Sequence, residues 1–152
     1  METFHEQKAP SGAAPAARPD ITQALTQGVV RLFLDLGLSP LTEFRLPSGR
    51  RVDVAGLDSK GRLAFAEIKS GVEDFEADQK WPDYLGYCDA FYFAVSRDFP
   101  QTLLPASEGV ILADQFGGAV VRGPASRSMA PARRKSIMLR FARVAAGRLW
   151  TA

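Results

Sequence analysis

The run DAFYFAVS, from Asp89 to Ser96, constrains this chain more than any other stretch. It is apolar without alternation, so it cannot sit with one face in water. It reads as a strand buried on both sides and reached by a helical crossover, as at the centre of an α/β sheet. A chain holding such a strand needs helices on both faces of its sheet.

The neighbouring segments fit that frame. Asp20 is a candidate N-cap for a helix carrying Ile21, Leu25, Val29, Leu32, Phe33 and Leu36 at helical spacing, and Gly37 stops it. Residues 41–46, 51–57 and 63–69 have strand character. The turns Pro47-Ser48-Gly49 and Asp58-Ser59-Lys60-Gly61 separate them, which predicts an antiparallel meander. VEDFEADQKW reads as helical, and Pro82 either bends that helix or opens a new turn. Short strands follow at 110–113 and 119–122, with Gly117-Gly118 as a hairpin turn. A closing helix over 131–149 would carry Ile137, Met138, Phe141, Val144, Ala145 and Leu149 on one face. The expected architecture is an α/β sandwich around a mixed sheet.

A length of 152 residues suits one domain. Residues 1–18 lack hydrophobic periodicity and read as a flexible tail, leaving 19–152 as a single domain. Cys88 is the one cysteine, so no internal disulfide can form and a reducing compartment is expected. No apolar stretch nears the ~20 residues of a membrane span. Glu2, His5, Glu6 and Lys8 interrupt the N-terminus, which does not read as a secretory signal. A cytoplasmic protein is the expectation. The one histidine, His5, lies in the tail, which argues against histidine-based zinc or general-base chemistry.

Charge is unevenly distributed. No acid follows Asp114, whereas Arg122, Arg127, Arg133, Arg134, Lys135, Arg140, Arg143 and Arg148 all do. Such a region is either a footprint for phosphates or a solvated helix face.

The strand 63–69 ends in Glu67-Ile68-Lys69. Period-two alternation sets Glu67 and Lys69 on one side with Leu63 and Phe65, and by themselves they read as a salt bridge. On the preceding strand Arg51, Asp53, Ala55 and Leu57 share one face, and Val52 and Val54 share the other. If the intervening loop centres on Lys60, Asp53 lies opposite Glu67; a slip of one residue separates them. Facing carboxylates repel. They make sense around a divalent cation that prefers oxygen ligands, with Lys69 one step away to hold a water or balance charge on phosphorus.

Arg51-Val52-Asp53 followed by Glu67-Ile68-Lys69 resembles the PD-(D/E)xK nuclease superfamily. The runs AEIKSGVEDFEADQKWPDYLGYCDAFYFAV, SRDFPQTLLP, ILADQFG and RRKSIMLRFARVAAGRL resemble MmcB-type bacterial DNA repair proteins across roughly residues 20–149. The resemblance implies a restriction-endonuclease-like core, a central mixed sheet with helices on both faces. It also implies a Mg²⁺- or Mn²⁺-dependent nuclease acting on DNA, with other repair proteins as further partners. Carried over by residue, the metal ligands are Asp53, Glu67 and the Ile68 carbonyl, and the catalytic lysine is Lys69. Active relatives often carry a glutamate on the first helix, where this chain has Gln23, Gln27 and Asp35, leaving Glu43 as the substitute, acting through water. A Gln-x-x-x-Tyr pattern of some relatives becomes Lys80 to Tyr84, which suggests phosphate contacts. Arg51, Lys80, Tyr84, Arg133, Arg134, Lys135 and Arg140 are the candidate nucleic-acid contacts. The opposing reading is a DNA-binding or scaffold protein that keeps the fold and cleaves weakly or not at all.

Other residues have plainer readings. Asp74 and Glu76 read as a solvated helix face, and Asp78 is divided evenly between that and a metal role. Trp81, Tyr84 and Tyr87 read as packing residues more readily than as base-stacking ones. Cys88 reads as a buried small hydrophobe. Ser70-Gly71 reads as the start of the next helix.

Overall fold

The computed structural model describes residues 17–151. Most of the expected tail lies outside these residues, and Arg18 already belongs to the first helix, α1 (Arg18–Asp35). Asp20 is therefore inside the first turn and not its N-cap, which is Ala17. There its negative charge still favours the helix dipole. Then come β1 (Ser39–Arg45), β2 (Arg51–Leu57), β3 (Leu63–Ile68), α2 (Val72–Ala77), a 3₁₀ segment (Trp81–Tyr87) and β4 (Ala90–Val95). The chain ends with β5 (Gly109–Asp114), β6 (Gly117–Arg122) and α3 (Pro131–Thr151).

The six strands form one sheet in chain order. β1, β2 and β3 are the antiparallel meander; β3–β4 and β4–β5 are parallel, and β5–β6 is antiparallel. A mixed α/β sheet is thus present, and β4 is its double-sided central strand. On one face α1 packs Leu25, Val29, Leu32 and Phe33 against Val54, Ala66, Ile68 and Ile111. On the other, Phe65, Phe91 and Phe93 meet Phe75 of α2, Tyr84 of the 3₁₀ segment and Ile137 and Phe141 of α3. Edge-to-face rings such as Phe75–Phe93 (5.7 Å) and Phe91–Phe93 (5.2 Å) fill that layer.

Several expectations shift. α2 stops at Ala77 because Asp78 leaves helical geometry (φ −132°, ψ 105°) and turns its carboxylate onto the Lys80 N–H. Pro82 then lies in the first turn of a separate 3₁₀ segment, where its missing N–H costs nothing. The β5–β6 hairpin turns at Gln115-Phe116, with Asp114 paired to Gly117, so Gly117 and Gly118 are strand residues. The Asp114 carboxylate accepts from the Phe116 and Gly117 N–H groups and closes that turn. Leu36 and Leu149, expected on apolar helix faces, are exposed.

Two glycines position the elements that matter. Gly61 adopts φ +81° in the β2–β3 turn, while Asp58 accepts from the Lys60 and Arg62 N–H groups. The turn thereby centres the hairpin and fixes Val54 opposite Ala66 and Ala55 opposite Phe65. Gly28 lets α1 lie directly on the β5–β6 hairpin: a Cβ there would meet the Asp114 carbonyl oxygen at 1.9 Å. Gly28→Ala is expected to lower unfolding stability by roughly 2–4 kcal/mol through this overlap with backbone. A denaturant midpoint close to wild type would refute that.

Candidate active site

The backbone ladder between β2 and β3 ends at Val54 and Ala66. One step further, side chains replace it. The Asp53 N–H donates to Glu67 Oε1 (3.2 Å), and the Ile68 N–H donates to Asp53 Oδ2 (2.8 Å). Each carboxylate thus satisfies the backbone of the facing strand, and the two acids are brought together where the strands part. The Lys69 N–H donates to the Ala94 carbonyl, which keeps the β3 end tied to β4. Because N–H and C=O of one strand residue point the same way, the Ile68 carbonyl faces the opening toward Asp53.

The alternation of β2 does not survive this point. Val52 packs with Phe44 and Ala55 on one side of the sheet, and Val54 packs on the other. Strict alternation would have kept the two valines together. The β1–β2 pairing has Thr42 opposite Val54 and Phe44 opposite Val52, with no pair at Glu43 and Asp53. Glu43 has φ +50°, a strained conformation for a side chain of its kind, and its carbonyl accepts a hydrogen bond from Arg148 of α3 (3.1 Å). Sequence reading had no signal for either the kink or the Arg148 hold.

Electrostatics at this point are unusual. Glu67 is 6% and Lys69 5% exposed. Burial first, and then the Asp53 charge, push the Glu67 carboxyl up to about 8. Burial also raises Asp53, against the pull of the Ile68 N–H and of Lys69. Among the described residues Lys69 is in no ion pair and its Nζ makes no hydrogen bond, so a Glu67–Lys69 salt bridge does not form. No buried side-chain nitrogen or oxygen among them lacks a partner. It follows that Asp53 Oδ1, Glu67 Oε2 and Lys69 Nζ, which make no hydrogen bond, reach the surface. Glu43 and Asp74 add negative potential at Asp53, as does Asp78 at Glu67. No group of three His, Cys, Asp or Glu side chains converges among the described residues, so Glu43 does not complete a triad.

The expected nucleic-acid contacts divide. Tyr84 is buried, stacks on Phe91 (5.9 Å) and donates its hydroxyl to the Arg51 carbonyl (3.0 Å). It clamps β2 to the 3₁₀ segment and is not placed to meet phosphate. Arg134 is held bidentately by Asp89 (2.6 and 2.7 Å), whose carboxyl it keeps below the usual range, and it also reaches the Gly61 carbonyl. Arg133 lies over the Tyr87 ring (4.9 Å) and donates to the Gly86 carbonyl. Arg51, Lys80 and Lys135 are exposed, Arg140 is half-exposed, and none of these side chains makes a protein ion pair among the described residues. Arg127 grips Glu108, a fully buried carboxylate that sequence reading missed, in a bidentate pair. Trp81 stacks on Phe91, and Cys88 is buried with its thiol pushed up to about 12. The Asp74 carboxylate accepts from both the N–H and the hydroxyl of Ser70 just before α2.

Fold and site define a small α/β protein with a buried acidic pair and a lysine at the open end of a mixed sheet. The chain belongs to the MmcB-like DNA repair protein family, whose description it matches over residues 10–152. The solved structure of the SPO1766 protein, of unknown function, from Silicibacter pomeroyi is 40% identical. It superposes with a TM-score of 0.82 over 90% of this chain and 91% of that one. A repair endonuclease from Pyrococcus abyssi aligns at 14% identity and a TM-score of 0.36, over 62% of this chain and 45% of its own. That correspondence is too loose to carry an argument. No curated protein matches. No helix among the described residues is long and apolar enough to cross a membrane.

Two outcomes follow for the metal-free protein. The folded state holds the Glu67 proton more tightly than the unfolded chain, so stability falls as pH rises from about 4.5 through about 8. Glu67→Gln is expected to flatten that slope and to be more stable than wild type at pH 8. Urea titrations across this range, with the same slope in both proteins, would refute it. Glu43→Gly is expected to stabilise by about 1 kcal/mol by releasing the positive-φ strain, read as a rise in the thermal midpoint.

Proposed function

We propose that this chain is a Mg²⁺- or Mn²⁺-dependent DNA nuclease acting in DNA repair, of the PD-(D/E)xK type with a restriction-endonuclease-like core. The observation that supports it best is the meeting of Asp53 and Glu67 in a buried opening beside Lys69, which neutralises neither through an ion pair. Membership of a DNA repair family supports DNA as the partner.

The residues present fit a divalent cation. Each carboxylate keeps one oxygen clear of protein hydrogen bonds, and burial followed by the Asp53 charge makes an ionised Glu67 costly without a neighbouring cation. Hard oxygen donors of this kind suit Mg²⁺, completed by the Ile68 carbonyl and water. A bound Mg²⁺ would supply Lewis-acid polarisation of the scissile phosphate and a lowered pKa for an attacking water. Asp53 and Glu67 would hold it, and Glu43 would assist through water. Lys69, the residue that follows β3 and is tied to β4 through its backbone N–H, would orient the attacking water and balance the negative charge that grows on the phosphoryl oxygens. Arg51, Lys80, Lys135 and Arg140 would follow the DNA backbone and make binding fall steeply with salt. On this reading the protein works in the cytoplasm alongside other repair proteins.

One observation favours a second reading, a DNA-binding or scaffold protein with little cleavage. Gln23 and Gln27 stand on α1 where active relatives of the superfamily often have glutamate, and no third acid joins the pair. Incubation with single-stranded, duplex and branched DNA plus Mg²⁺ or Mn²⁺ separates the two. Metal-dependent cleavage is expected, falling at least about a hundredfold in Asp53→Ala and Lys69→Ala. If none of these DNA forms is cut with either metal, the nuclease reading falls and the scaffold reading stands.

A further inference from the structure

A groove of about 590 Å³ runs between α1 and the β1–β2 edge and ends on Asp53. Its walls are Thr22, Gln23, Thr26 and Gln27 from the helix, and Thr42 and Glu43 from β1. We propose that this groove is a subsite for an unpaired nucleobase, with the Gln23 and Gln27 amides as its reading groups. The inference rests on the DNA-directed reading above and names what lies beside the scissile phosphate.

Charge decides against a phosphate in the groove. No cation lines it, and its two ionisable groups, Glu43 and Asp53, are carboxylates. A sugar–phosphate chain would be repelled there, whereas an uncharged base would not. The lining chemistry suits a base edge. Gln23 and Gln27 are four residues apart, so their side chains neighbour each other on one helix face. Both are exposed and neither makes a hydrogen bond among the described residues. Each amide offers two donors and one acceptor, the pattern that pairs with donor–acceptor edges such as adenine N6/N7. The Thr26 hydroxyl already donates to the Thr22 carbonyl (2.8 Å), so its proton is not available to a base.

Geometry explains how the groove stays open. Glu43 at φ +50° breaks the pairing of β1 with β2 just where the groove meets Asp53, and Arg148 holds that backbone in place. Backbone strain of this kind persists where the surrounding structure overrides it, and such positions cluster at ligand sites. A base seated here places its own phosphate at the Asp53 end. A base within a duplex stack cannot enter, so the groove selects single strands or a nucleotide turned out of a helix.

The test is binding of fluorescein-labelled 12-mers in Ca²⁺, followed by anisotropy, comparing an oligo(dA) strand with an abasic strand of equal length and charge. Wild type is expected to bind the base-bearing strand at least tenfold more tightly. Gln23→Ala/Gln27→Ala should lose about tenfold on that strand and nothing on the abasic one, with an unchanged melting temperature. Equal affinity of wild type for both strands overturns the subsite, as does an equal loss on both in the variant. Discrimination that survives in the variant assigns base reading elsewhere and also overturns it. No binding to either strand would sink the DNA-directed reading together with the subsite.

Discussion

The architecture turns on two hydrogen bonds that cross between β2 and β3. Where the ladder stops, the Asp53 N–H and the Ile68 N–H would be orphaned at a partly buried strand end, a cost of about 1–3 kcal/mol each. The carboxylates of Glu67 and Asp53 accept them instead. Satisfying the backbone in this way forces two acids together in a region that burial makes hostile to charge. The same feature that finishes the sheet therefore creates an electrostatic deficit, which the cation proposed above would offset. Structure and candidate chemistry are here one arrangement.

The basic C-terminal region shows how charge can mislead when read along a sequence. Arg134 fixes α3 to Asp89 and the Gly61 turn, which is the turn that sets the β2–β3 register. Arg127 neutralises the buried Glu108, while Arg122 caps the Glu108 and Pro105 carbonyls. Removing one member of such a buried pair is costly because the other charge is left without compensation. Arg148 supports the strained Glu43 backbone. Much of the apparent phosphate footprint is thus bracing for the fold, and on α3 Lys135, Arg140 and Arg143 make no ion pair among the described residues.

Of the three site residues, Asp53 alone lines the groove beneath α1. α2, the 3₁₀ segment and α3 bury the opposite face of the sheet under Phe75, Tyr84 and Phe141. On the α1 face the apolar contact is narrower, and the helix presents threonines and glutamines toward β1. Gly28 draws the helix onto the β5–β6 hairpin, so its N-terminal half is left to stand over Asp53 with a cleft between.

By itself the sequence determined the α/β class, the meander and the double-sided β4. Those features follow from apolar periodicity and turn chemistry, which are local in the chain. It left two registers open at Asp53 and Glu67, between which the folded turn from Asp58 to Gly61 decides. It could not show that Tyr84 would be drawn inward by Phe91, or that Arg134 would find Asp89 forty-five residues away. Nor could it show that Val52 and Val54 would part company at Asp53, because the kink arises from β1 through Glu43 and is fixed by α3. Alternation is a rule about one strand, whereas the kink is a compromise among three elements. Which charges brace and which stay open is decided by long-range partners, and these exist only once the chain has folded.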